Sequence, residues 1–87
     1  MANYELIFKK SVAKDLRPLP KQDVKKILQR IRSLAADPRP VGCEKLSGQE
    51  RYRVRQGVYR IIYEVEDEKL IVLVVKIGHR REVYRSN

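Results

Sequence analysis

The chain has no tryptophan, one cysteine, one methionine, one phenylalanine and one histidine among its 87 residues. A single cysteine, Cys43, cannot form an internal disulfide, and one cysteine with one histidine falls short of the usual structural zinc set. No metal and no other cofactor is expected. Cys43 stands between Pro40, Gly42 and Glu44 in a loop and reads as a tolerated small residue. No apolar run approaches the roughly 20 residues that a spanning helix needs. Met1-Ala2-Asn3-Tyr4-Glu5 lacks the basic start and long apolar stretch of a signal peptide. The expectation is a cytoplasmic protein with no membrane partner. Glycine-rich phosphate loops, helical His-Glu metal motifs and serine-centred nucleophile elbows are absent, as are internal repeats.

Acidic residues are also in deficit. Against 20 Lys and Arg there are 11 Asp and Glu, a formal charge of +9 with a sequence pI of about 10.0. That imbalance points to nucleic acid, an acidic protein or an anionic surface as the partner. Hydrophobic residues at 43% and charged residues at 36% fit a globular chain. The length suits one domain, residues 1–87, with one small core.

Asn3 to Phe8 alternates, with Tyr4, Leu6 and Phe8 on one side, and predicts a short strand whose partner is not decidable. From Lys9 or Lys10 to Arg17, Val12, Ala13 and Leu16 follow helical spacing until Pro18 stops the run. Pro20 suits the first turn of a second helix. From Lys21 to Ala36 that helix carries an apolar stripe of Val24, Ile27, Leu28, Ile31, Leu34 and Ala35. Its other face, with Lys21, Lys25, Lys26, Gln29, Arg30 and Arg32, reads as solvated. Val41 to Gln49 is a loop or a short edge strand. Leu70 to Val75 is continuously apolar, as a central strand covered on both sides would be, and the face taken by Lys76 stays open. Helices followed by hairpin strands give an α+β class: an N-terminal strand and a two-helix hairpin packed on one face of a small antiparallel sheet.

The most informative stretch is Arg51 to Tyr84. Basic residues at 51, 53 and 55 alternate with apolar Tyr52 and Val54, and Gln56-Gly57 reads as a tight turn. A two-residue loop there places Arg55 opposite Val58, Val54 opposite Tyr59, Arg53 opposite Arg60 and Tyr52 opposite Ile61. Arg53, Arg55 and Arg60 then share one face, and Tyr52, Val54, Tyr59, Ile61, Tyr63 and Val65 form the core face. Like charges opposed across a strand pair are destabilising, so a bound polyanion would explain the arrangement. The other reading is that arginine stems cover apolar sheet while their heads reach water.

These residues resemble the RelE branch of the RelE/ParE toxin superfamily, over nearly the whole chain. The specific part is Gly-x-Tyr-Arg-x-x-Tyr, Gly57 to Tyr63, with the later Gly-x-Arg-x-x-x-Tyr, Gly78 to Tyr84. The resemblance implies a toxin made beside an antitoxin that wraps it, and in this branch one that cuts messenger RNA in the ribosomal decoding site. The family's paired basic positions fall on Arg53 and Arg55, its strand arginine on Arg60, its post-glycine arginine on Arg80 and its terminal tyrosine on Tyr84. Better-known members carry lysines at the first two positions. An arginine does not give up its proton, so Arg53 and Arg55, with Arg51 and Arg81, are expected to bind phosphate.

Metal-free RNA cleavage by a 2′-hydroxyl needs a base, a stabiliser of the charged phosphorane and an acid for the leaving oxygen. Fixed guanidinium groups suit the second task, which puts Arg60 first, with Arg80 and Arg53 beside it. Proton transfer has two candidates, His79, whose ordinary pKa is roughly 6.5, and Tyr84, which arginines would push below its usual value of about 10. Their other readings are a turn residue at a strand end and a ring covering the sheet edge. The partners implied are an acidic RelB-like antitoxin, the ribosome and messenger RNA, with operator DNA reached only through the antitoxin. The alternative is a non-catalytic ParE-like toxin that poisons a protein such as DNA gyrase.

Overall fold

The computed structural model describes residues 3–46 and 50–79. Strand β1 (Glu5–Phe8) leads into helix α1 (Lys10–Leu16) and helix α2 (Lys21–Ala36). Strands β2 (Glu44–Leu46), β3 (Arg51–Gln56), β4 (Tyr59–Glu66) and β5 (Ile71–His79) follow. The sheet order is β1-β5-β4-β3-β2. All neighbours are antiparallel except β1, which lies parallel to β5 with Leu6 opposite Val72. The expected α+β class is present, and its sheet is mixed rather than wholly antiparallel. Parallel pairing needs a long connection, and here everything between β1 and β5 supplies it.

Helix α2 spans the predicted residues because its 3.6-residue stripe buries Ile27, Ile31 and Leu34 against the sheet. Pro20 occupies the N-cap position, one step before the predicted first turn, where its carbonyl accepts the Val24 N–H at 3.0 Å. Helix α1 adds Val12 to the same core, with Tyr52, Val54, Ile61, Tyr63, Val65, Val72, Val74 and Ile77 from the sheet. Two buried tyrosines are anchored by polar ends. Tyr63 donates to the Pro38 carbonyl at 2.6 Å, and Tyr52, stacked on Tyr63 at 5.8 Å, accepts from Arg39 Nε at 2.8 Å.

Two sequence expectations are corrected. In the β3–β4 hairpin the loop residues are Gly57 and Val58, so Gln56 faces Tyr59, Val54 faces Ile61 and Arg55 faces Arg60. Gly57 has φ +62, the first-position geometry of a II′-type hairpin turn. The loop lies one residue later than the sequence suggests, and Gln56 belongs to the strand. Because the pairing moves by two, the faces are unchanged: Arg53, Arg55 and Arg60 still share a side.

Among the described residues, helices cover strand β5 on one side only. Ile71 and Leu73, opposite Glu66 and Glu64, are half-buried on the face without helices. Leu70 falls before the strand, in the turn, with φ 54. A bulge then resets the alternation: Tyr63 faces Val74 while Ile62 faces Lys76, leaving Val75 without an opposite. Regular alternation from Val72 and Val74 would have driven Lys76 into the core. The extra residue sends Ile77 inward instead and Lys76 to the arginine side.

Candidate functional site

The face of the sheet opposite the helices carries the cationic cluster. At its centre Arg55, exposed, lies directly across from Arg60, which is 2% exposed. Gly78 on β5 is opposite Arg60 from the other side and brings no side chain of its own to that space. Lys76 is next along β5, facing Ile62. A buried hydrophobic side chain would avoid the desolvation that a guanidinium suffers. An arginine at position 60, opposed by a second one, is therefore not what stability alone selects.

Two of the other arginines are tied down. Arg53 is held by Glu44, its directly opposed neighbour on β2, at 3.0 Å, which leaves its side chain at 16% exposure on the rim of the cluster. Arg51 faces Glu64 on β4 and donates to it from Nε at 3.0 Å. This cross-strand pair neutralises Arg51 at the end of the hairpin farthest from its turn. The structure thus gathers Arg53, Arg55 and Arg60, adds Lys76, and separates Arg51 by neutralising it.

His79 is elsewhere. It faces Tyr59 on β4, with the rings edge to face at 6.4 Å, and both lie on the helix side of the sheet. The same bulge that turns Lys76 out turns His79 away from the arginines. Tyr59 donates to Asp23 of α2 at 2.8 Å, and that carboxylate raises the phenol pKa above its ordinary value. Asp15 of α1 accepts the backbone N–H of Ile77 at 3.0 Å and ties the end of β5 to the helices. Beside Asp15 lies a groove of about 430 Å³ lined by Lys14, Leu19, Tyr59, Ile77 and His79, which Lys76 also borders. Arg80, Arg81 and Tyr84 lie outside the described residues.

Sequence reasoning missed Lys76 as a member of the cluster, because only the bulge decides its face. It also missed Arg39. That guanidinium donates to Asp67 at 2.8 and 3.1 Å and to Glu50 at 3.1 Å, and lies over the Tyr52 ring. Its role is structural: it clasps the loop after α2 to both strands of the β3–β4 hairpin at its open end. The proline-flanked position of Arg39 gave no periodic signal.

A basic sheet face backed by two helices is a fold shared with small toxins of toxin–antitoxin systems. Residues 6–84 match the sequence model of a family described as the ParE toxin of type II toxin–antitoxin systems, and the chain belongs to that family. Within the RelE/ParE superfamily it is a toxin of the RelE type. It is 35% identical over 81 residues to the RelE1 protein of Methanocaldococcus jannaschii, covering 88% of this chain and 90% of that one. It is 30% identical over 86 residues to the mRNA interferase toxin RelE of Escherichia coli, covering 93% of this chain and 90% of that one. Among solved structures, RelE in the archaeal RelE–RelB complex from Pyrococcus horikoshii superposes with a TM-score of 0.81 at 31% identity. That match covers 90% of this chain and 96% of the other.

Proposed function

We propose that this toxin is a ribosome-dependent messenger-RNA endonuclease that works without a metal ion and is silenced by an acidic RelB-like antitoxin. The observation that carries the reading is the opposed pair of Arg55 and Arg60, one exposed and one buried, on the face of the sheet away from the helices. The E. coli relative bears the name of an mRNA interferase, and the Pyrococcus relative is bound to RelB. These support the substrate and the partner.

In the proposed reaction a 2′-hydroxyl attacks its own adjacent phosphate, and the 5′-oxygen leaves, giving a cyclic phosphate and a 5′-hydroxyl. Arg60 is fixed where the non-bridging oxygens gain charge, and burial strengthens its field. Arg55 and Lys76 hold the neighbouring phosphates, and Arg53 completes the rim. An arginine does not give up its proton. The Tyr59 phenol is pushed the wrong way by Asp23, and His79 stands on the far side of the sheet. The proton therefore falls to Tyr84 or to a group on the ribosome, with Arg80 and Arg81 as further phosphate ligands.

The test is single-turnover cleavage on programmed ribosomes with Arg60→Ala. A loss of about 10²–10³-fold is expected, the usual effect of removing one preorganised charge stabiliser. Near-normal cutting by a folded Arg60→Ala protein would overturn the assignment. Intact RNA with the native protein would instead favour a toxin that poisons a protein target.

A further inference from the structure

The cationic cluster holds two kinds of side chain with different chemistry. Arg53, Arg55 and Arg60 keep their protons. Lys76 carries an ammonium, which is charged at neutral pH and can still release a proton. The other described residues of β2 to β5 on this face are apolar, glycine, or carboxylates held by arginines, Glu64 by Arg51 and Glu44 by Arg53. The sheet tyrosines 52, 59 and 63 and His79 all lie on the helix side. Among the described residues of β2 to β5, Lys76 is therefore the one proton-releasing side chain beside the arginines.

Its place on the sheet suits that task. Arg53 and Lys76 flank Ile62 in one row across three strands, and Arg55, Arg60 and Gly78 form the next row toward the turn. Lys76 and Arg60 are thus diagonal neighbours, about 7–8 Å apart along the sheet and within reach of long side chains. Gly78 leaves the space between them open. Lys76 enters none of the ion pairs formed among the described residues. It also borders the groove beside Asp15, whose carboxylate accepts the Ile77 N–H. An apolar residue at position 76 would let β5 keep its alternation. The strand carries an extra residue instead, and bulges of this kind re-aim a side chain.

We infer that Lys76 is the proton donor of the cleavage, the group that protonates the departing 5′-oxygen. The inference rests on the RNA cleavage proposed above and divides its labour. The 2′-oxygen forms a bond to phosphorus, and the bond from phosphorus to the 5′-oxygen breaks with its electron pair left on that oxygen. The 2′-hydroxyl proton goes to the base named above. A second proton passes from the Lys76 ammonium to the 5′-oxygen, giving the 5′-hydroxyl and a neutral amine that water reprotonates. Arg60 stays charged throughout, against the non-bridging oxygens.

The test is single-turnover cleavage on programmed ribosomes of two messages, one natural and one with sulfur in place of the 5′-oxygen at the linkage that the native protein cuts. A thiol ionises near pH 8.5, roughly as cysteine does, so a thiolate leaves without taking up a proton. Lys76→Met, which keeps much of the stem and loses the charge, is expected to cut the natural message about 10²–10⁴-fold more slowly and the sulfur message within about tenfold of the native rate. Lys76→Arg keeps the charge but not the releasable proton, and the same pattern is expected of it. An equal loss on both messages, from variants with native circular dichroism, would overturn the proton donor and leave Lys76 a phosphate ligand. Full activity of Lys76→Arg on the natural message would overturn it too. If the native protein leaves both messages intact, the cleavage reading fails and the donor falls with it. If Lys76→Met disturbs the fold, Lys76→Arg on the same two messages decides.

Discussion

Asp67 illustrates how single residues set the acid limit of this fold. Its carboxylate accepts two bonds from Arg39 and a third from the Tyr4 hydroxyl at 2.7 Å. The Arg39 bonds foremost, then Tyr4, hold its pKa below the ordinary carboxylate value. Glu50 is lowered in the same way, by Lys45 first and Arg39 after it. A group whose folded pKa is depressed contributes fully above its unfolded pKa and loses that contribution as pH falls through the folded value. Thermal stability should therefore decline below roughly pH 4, and Asp67→Asn should flatten that decline while lowering the melting temperature at neutral pH. Parallel melting curves for the two proteins between neutral and acid pH check this; identical acid slopes would remove Asp67 from the account.

At the scale of elements, the β3–β4 hairpin carries both the site and its register. Gly57 needs positive φ, and nothing lies within 4 Å of where its side chain would begin. Gly57→Ala should thus cost conformational strain alone, of order 1–3 kcal/mol, seen as a lower urea midpoint with an unchanged slope. A changed slope would mean that the hairpin had slipped. The glycine was legible in the sequence as a turn residue, but not whether it came first or second in the loop. That ambiguity changed the opposed pair from Arg53–Arg60 to Arg55–Arg60 without changing the face. Helix α2 was legible to the residue because its stripe is long and its burial one-sided. The bulge at Val75 was not, since every residue from Ile71 to Val75 is apolar and none marks where alternation breaks. The faces of Lys76 and His79 were hidden for the same reason, whereas those of Arg55 and Arg60, upstream of the bulge, were legible.

For the whole molecule, the +9 charge would draw in the acidic antitoxin proposed above. Binding of the acidic antitoxin should slow and weaken as salt approaches about 1 M, where the screening length falls to about 3 Å. Association rates measured across that range check this, and a flat profile would indicate an interface governed by apolar contacts. The sheet order has a further consequence in time. Strand β5 sits between β1 and β4, so Glu5 waits for Ile71 before its parallel ladder closes. Contacts this distant along the chain slow folding. A growing polypeptide that has not released Ile71–His79 has no strand to join its first to its fourth, and the core residues Val72, Val74 and Ile77 are still missing. The arginine face is therefore assembled only late in synthesis, so that a toxin acting on the ribosome, as proposed above, would pose no threat to the one making it.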